Sequence, residues 1–176
     1  EGATFYRFTG STGLTSEGIG TYKELPIVVL PSPAGANTFI TEYAANATAR
    51  TITTGADSVA NHSLVIVKII DGAFNWVWTD TVRGVTETIF SNLTNAEVVI
   101  ADGLTSFTST GFTIGANNNF NSNGNNAIAY TFVEREKFFD IVLDTGNATA
   151  KTIAHSLGTD VGCILSKNRS ISQDWA

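Results

Sequence analysis

The chain alternates between short apolar stretches and clusters of Gly, Asn, Asp and Ser, a rhythm that predicts strands and tight turns rather than helices. Strands are expected over residues 4–8, 26–30, 38–43, 49–53, 64–70, 74–79, 86–90, 97–100, 111–114, 127–133, 138–143, 150–154 and 162–166. Within 127–133 the alternation puts Ile128, Tyr130 and Phe132 on one face. Residues 64–70 are almost continuously apolar, the pattern of a central strand covered on both sides. Residues 133–139 are the charged run with most helical character, and they read equally as a linker. The expected fold class is all-β, built from antiparallel sandwich-like modules.

An internal repeat organises these strands. Asn46-Ala47-Thr48-Ala49-Arg50-Thr51-Ile52 returns as Asn147-Ala148-Thr149-Ala150-Lys151-Thr152-Ile153, at an offset of 101. Further along, Lys68 and Trp76 are matched by Lys167 and Trp175, at an offset of 99. A two-residue loop deletion between the blocks accounts for the difference. Asn46, Trp76, Asn147 and Trp175 therefore mark equivalent structural positions. The division that follows is a leader or attachment segment over 1–36 with a Pro-rich join at Pro31 and Pro33, a complete β-module over 37–137, and the start of a second, truncated module over 138–176. The second lacks counterparts of 111–114 and 127–133, so it is expected to be completed by further chain or by a neighbouring subunit.

Composition narrows the function. Charged residues make up 15% of the chain, against about 25% in an average globular protein. The net charge of −6 and the scattering of ten Lys and Arg exclude a nucleic-acid partner, which needs clustered cations. No stretch approaches the length of a membrane-spanning helix, so membrane insertion is not expected. A single cysteine, Cys163, leaves no internal disulfide and fits synthesis in a reducing cytoplasm. The chain opens at Glu1 and holds no Met, as a processed or partial polypeptide would.

Candidate chemistry is sparse, and no cofactor or metal site is expected. His155 lacks a repeated counterpart, since Thr54 stands in its place, and a turn-stabilising hydrogen bond is its expected role. His62 has no counterpart in the second copy, and the carboxylates form no calcium-loop pattern. Cys163 aligns with Leu64 and reads as a small buried hydrophobe. Trp76, Trp78 and Trp175 offer aromatic faces, but the recurrence of Trp76 and Trp175 in register favours packing. The best candidate contact surface is the Asn-rich stretch containing Asn117, Asn118, Asn119, Phe120, Asn121, Asn123 and Asn125. Amide side chains there could hydrogen-bond a sugar while Phe120 stacks on it; the alternative is a plain hairpin loop.

Three motifs carry a family resemblance: Gly111-Phe112-Thr113-Ile114-Gly115, Asn121-Ser122-Asn123-Gly124 and Ala129-Tyr130-Thr131-Phe132. In this order, followed by Thr152-Ile153-Ala154-His155-Ser156-Leu157-Gly158, they resemble a repeat module of tailed-bacteriophage virion proteins, of the tail-fibre and appendage type found in phages of aquatic bacteria. The resemblance covers residues 46–176. It departs in the first copy, where Thr54-Gly55-Ala56-Asp57 replaces the His-containing turn. It implies a non-enzymatic structural component of the virion, made in the host cytoplasm, a spacer or assembly unit with host-receptor contact. It further implies other virion proteins as partners, a homo-oligomer with a trimer favoured, and a host surface glycan as receptor. The alternatives are a capsid decoration or head-fibre protein, a cell-surface adhesin or carbohydrate-binding module, and a polysaccharide-cleaving spike.

Overall fold

The computed structural model describes residues 5–8, 14–17 and 36–176. The chain divides into two compact units, Glu1–Pro31 and Ser32–Ala176. In the first, β1 (Phe5–Phe8) and β2 (Leu14–Glu17) pair antiparallel, with Phe5 opposite Glu17. The strand expected over 26–30 lies outside the described residues.

The second unit is an antiparallel β-structure of nine strands among the described residues: β3 (Thr38–Ala44), β4 (Arg50–Thr53), β5 (Ser63–Ile69), β6 (Trp76–Asp80), β7 (Glu87–Phe90), β8 (Val98–Val99), β9 (Leu104–Thr108), β10 (Gly111–Ile114) and β11 (Asn126–Val133). A single helical turn, α1 (Asn118–Asn121), precedes β11. Six strands form one sheet in the order β3-β11-β5-β6-β7-β8, and three form another in the order β4-β10-β9.

The two sheets share one core. Val65 and Val67 of β5, Val77 of β6, Phe90 of β7 and Ala129 of β11 meet Ile52 of β4, Leu104 of β9 and Phe112 and Ile114 of β10, and α1 adds Phe120. Burying each large apolar side chain here is worth roughly 1.5–3 kcal/mol, which is what draws the small sheet onto the large one. β5 is buried at every position but Lys68, as its continuous apolar pattern requires of a strand flanked by β11 and β6. Strict alternation in β11 sends Ala127, Ala129, Thr131 and Val133 inward and Ile128, Tyr130 and Phe132 outward.

Gly111 marks a close approach of β10 to β4 within the three-stranded sheet. Its φ is +154°, and an added Cβ would stand 2.1 Å from the Ile52 carbonyl oxygen. Only glycine lets β10 run this near to β4.

Several expectations need correction. The strands expected over 138–143, 150–154 and 162–166 do not form; residues 138–176 hold bends and one bridge, Arg135 to Phe139. The apolar pattern is there, but no neighbouring backbone offers it a ladder. The charged run over 133–139 takes the non-helical of its two readings: β11 ends at Val133 and residues 136–138 make a tight turn, with Lys137 at φ +62°. Conversely β9 and α1 were not expected: β9 is mostly Ser and Thr, and α1 is built from Asn, a poor helix former.

Replacing Gly111 with Ala is expected to destabilise the sandwich by more than about 1 kcal/mol, read as a lowered urea midpoint. A midpoint equal to that of the parent would contradict the close approach.

Candidate functional site

The Asn-rich stretch splits into structural and exposed members. The Asn117 side chain caps α1 by accepting from Asn119 N–H at 3.0 Å, and its amide donates to Asp102 Oδ1 at 3.2 Å. Phe120 is buried in the core. Asn121 is fully buried: its Oδ1 accepts from Asn46 N–H at 2.8 Å, and its Nδ2 donates to the carbonyls of Thr48 and Gly115, both at 2.9 Å. Its own carbonyl accepts from Ala47 N–H at 2.9 Å. Asn125 Nδ2 bonds back to Ser122, at 3.0 Å to the hydroxyl.

The expectation of a receptor loop is corrected accordingly. Phe120 cannot stack on a sugar and Asn121 cannot reach one, because burial of the ring and satisfaction of the amide hold both inside. Asn118 and Asn123 are exposed and Asn119 and Asn125 half-buried, and these are what a ligand would meet. Sequence alone could not distinguish Asn121 from its neighbours; its partner is the turn at Asn46, distant along the chain.

That turn explains the repeated heptapeptide. Asn46 Oδ1 accepts from Thr48 N–H at 3.0 Å across Ala47, which takes φ +52°. Arg50 donates to the Ala44 carbonyl and lies over the Tyr43 ring at 5.3 Å. The Tyr43 hydroxyl donates to the Phe120 carbonyl at 2.6 Å, and burial pushes its pKa well up, against the opposing pull of Arg50.

The aromatic residues pack on the outer face of the six-stranded sheet. Trp76 stacks on Tyr130 with centroids 6.3 Å apart and remains 37% exposed. Trp175 lies against Trp78 at 5.1 Å, and its indole N–H donates to the Phe90 carbonyl at 3.0 Å. Trp76 and Trp175 thus have different ring neighbours despite their matched positions. Phe139 covers Phe132 at 5.8 Å. The C-terminal segment is a strap over this face.

An ionic cluster fastens the strap. Arg83, nearly buried, pairs with Asp80 at 2.5 Å and with Glu97 at 2.9 Å, and Arg169 reaches the same Glu97 at 2.6 Å. Backbone bonds run alongside, Glu97 N–H to the Arg169 carbonyl and Gln173 N–H to the Thr94 carbonyl. Burial pushes the Glu97 pKa up, but the hydrogen bonds and charges of Arg169 and Arg83 outweigh it and hold the carboxyl below its ordinary value.

His155 Nδ1 accepts from Leu157 N–H at 3.3 Å, the turn bond expected of it. Cys163 is exposed, not buried, because the strand that would cover it has no partner. His62 borders an open depression of about 380 Å³ with Asn61, Thr81 and Phe107, and its Nδ1 sits 3.3 Å from the Thr81 hydroxyl. Among the described residues no group of His, Cys, Asp and Glu is placed to hold a metal ion. No described helix is long and apolar enough to cross a membrane.

Fold and surface define an antiparallel β-sandwich with a C-terminal strap. The chain belongs to the family described as a domain of unknown function (DUF7483), which matches residues 36–176 and so takes in sandwich and strap together. No curated protein and no solved structure matches the chain.

Asn121→Ala is expected to cost about 1–3 kcal/mol of unfolding free energy, because it strands the buried Gly115 carbonyl and removes the part-buried bonds to Asn46 and Thr48. Asn118→Ala and Asn123→Ala should stay within about 0.5 kcal/mol. A separate expectation concerns acid. A carboxyl whose folded pKa is depressed contributes stability above its unfolded value, here 4.5, and loses it as pH falls through the folded value. Amide exchange of residues 169–173 should accelerate below pH 4.5, and Glu97→Gln should bring that acceleration to neutral pH. Unchanged protection at acid pH would mean the cluster does not hold the strap.

Proposed function

We propose that this chain is a non-enzymatic structural component of a bacteriophage virion, a tail-fibre or appendage segment that serves as spacer and assembly unit. The observation that carries the reading is the internal repeat. Its two copies keep the same turn geometry at Asn46 and Asn147, where Ala47 and Ala148 take φ +52° and +59°. Repetition of one β-unit is how an elongated, stiff particle part is made from a single design. The motifs from Gly111 to Phe132, and the turn at His155, support the phage setting through their resemblance to virion modules. A low content of charge and a surface rich in Asn, Thr and Ser suit a part that works outside the cell.

In this reading the partners are other virion proteins and further copies of the chain, arranged as a trimer. The exposed amides of Asn118 and Asn123 are the groups that meet a host glycan.

Antibodies raised against the purified chain, applied to phage particles that encode it and viewed by electron microscopy, should label a tail appendage. Label on the head would instead select a capsid decoration. Particles free of the protein by mass spectrometry would overturn the proposal and leave the adhesin reading, which a glycan array tests.

A further inference from the structure

The second copy of the repeat is folded locally and open globally. Asn147 Oδ1 accepts from Thr149 N–H at 3.2 Å, as Asn46 does from Thr48 at 3.0 Å. Lys151 donates to the Thr145 carbonyl and pairs with Asp144, at the positions where Arg50 meets Ala44 and Tyr43. Lys167 donates to the Gln173 carbonyl at 2.8 Å, as Lys68 does to Phe74 at 2.6 Å. Ser166 and Ala176 exchange both backbone hydrogen bonds, at 2.7 and 3.0 Å, where Val67 faces Val77 across β5 and β6. Each equivalence obeys the offset of the sequence repeat.

What differs is cover. Ile52 is 4% exposed and its counterpart Ile153 is 49% exposed; Val65 is 1% and Ile164 is 72%; Ile66 is 9% and Leu165 is 66%. Asn147, Ala148 and Thr149 are all exposed, whereas in the first copy Asn121 holds the backbone of Asn46, Ala47 and Thr48. The first copy also shows what provides the cover. β10 pairs with β4, β11 pairs with β5, and α1 contributes Phe120 and Asn121. The chain's own 104–133 cannot serve both copies, because β11 is already bonded on both edges, to β3 and to β5.

We propose that residues 138–176 are the opening half of a second sandwich, and that the surface they expose receives a closing half of the same repeat. The occupant is a polypeptide stretch with the pattern of residues 77–133: a Gly-Phe-x-Ile strand, a buried Phe-Asn pair, and a strand alternating Ala, Ala, Thr and Val inward. The aromatic strap contacts then become the joint between consecutive sandwiches, with Trp175 on Trp78 and Arg169 on Glu97. The inference stands on repeat geometry and not on the virion setting, so the test uses purified protein alone.

Cys163 is the chain's sole thiol and aligns with the buried Leu64, which makes it a reporter. In the full chain it should react with N-ethylmaleimide at a rate independent of protein concentration. Appending a second copy of residues 78–137 behind Ala176 should slow the reaction about 100-fold, two decades at about 1.4 kcal/mol each. Adding residues 77–137 to the unextended chain as a separate polypeptide is the second arm, and it should slow labelling in a saturable way. Leu64→Cys in a Cys163→Ser background gives the rate of the closed position. Unchanged labelling in both arms overturns the proposal. Concentration-dependent protection of the unextended chain also overturns it, since the occupant would then be a second copy docking whole.

Discussion

The insertion of β11 between β3 and β5 governs this structure. It bonds through its full length to both neighbours, from Asn126 opposite Ala44 on one side to Val133 opposite Ser63 on the other. Until residues 126–133 arrive, the six-stranded sheet is two separate pieces, β3 and the β5-β6-β7-β8 ribbon, and the face that receives the small sheet lacks Ala129. The turn before β11 is bound to the same event. Asn121 and Phe120 enter the core just ahead of the strand, and Asn121 locks the Asn46 turn through three hydrogen bonds that span more than seventy positions of sequence. Such closure carries the entropy of a long loop before any contact returns it, so the early strands gain little stability by themselves.

The elements that could be read in the sequence are those whose signal is local. β5 declares itself by continuous apolar residues and β11 by alternation, and the Gly-Phe-Thr-Ile stretch of β10 sits at the expected residues. β9 escaped because Leu104-Thr105-Ser106-Phe107-Thr108 has the composition of a loop, and only its pairing with β10 makes it a strand. α1 escaped because nothing in four residues of Asn and Phe favours a helix; the cap at Asn117 and the burial of Phe120 impose the turn. The candidate site failed for the same reason. Asn118 and Asn121 are the same residue type three positions apart, yet one faces water and the other is sealed, a difference set by the distant turn at Asn46.

The strap places unlike forces in series. Trp175 on Trp78 and Phe139 on Phe132 cover apolar surface that an exposed sheet face would leave wet. That term carries no titrating group and is not screened by salt. The Asp80–Arg83–Glu97–Arg169 cluster sets direction and register, since Glu97 is shared by an arginine of the sandwich and one of the strap. A buried arginine with two carboxylate partners is costly to leave half-paired, so the cluster favours a single position of the strap over many. Aromatic packing supplies the adhesion and the ions supply the address.

Both copies of the repeat therefore show where local energetics stops. The Asx-type turn at Asn46 and Asn147, the lysine bonded across its turn, and the first backbone pair beside the Trp all form in each copy, because every partner lies within ten residues. The β4–β10 and β5–β11 ladders form in the first copy alone, because their partners lie about sixty residues away. A turn is an instruction written in its own sequence, whereas a strand is an offer that another strand must accept. In a tandem of such units each opening half would carry its turns preset, and the arrival of one closing strand would convert a preset edge into a sandwich.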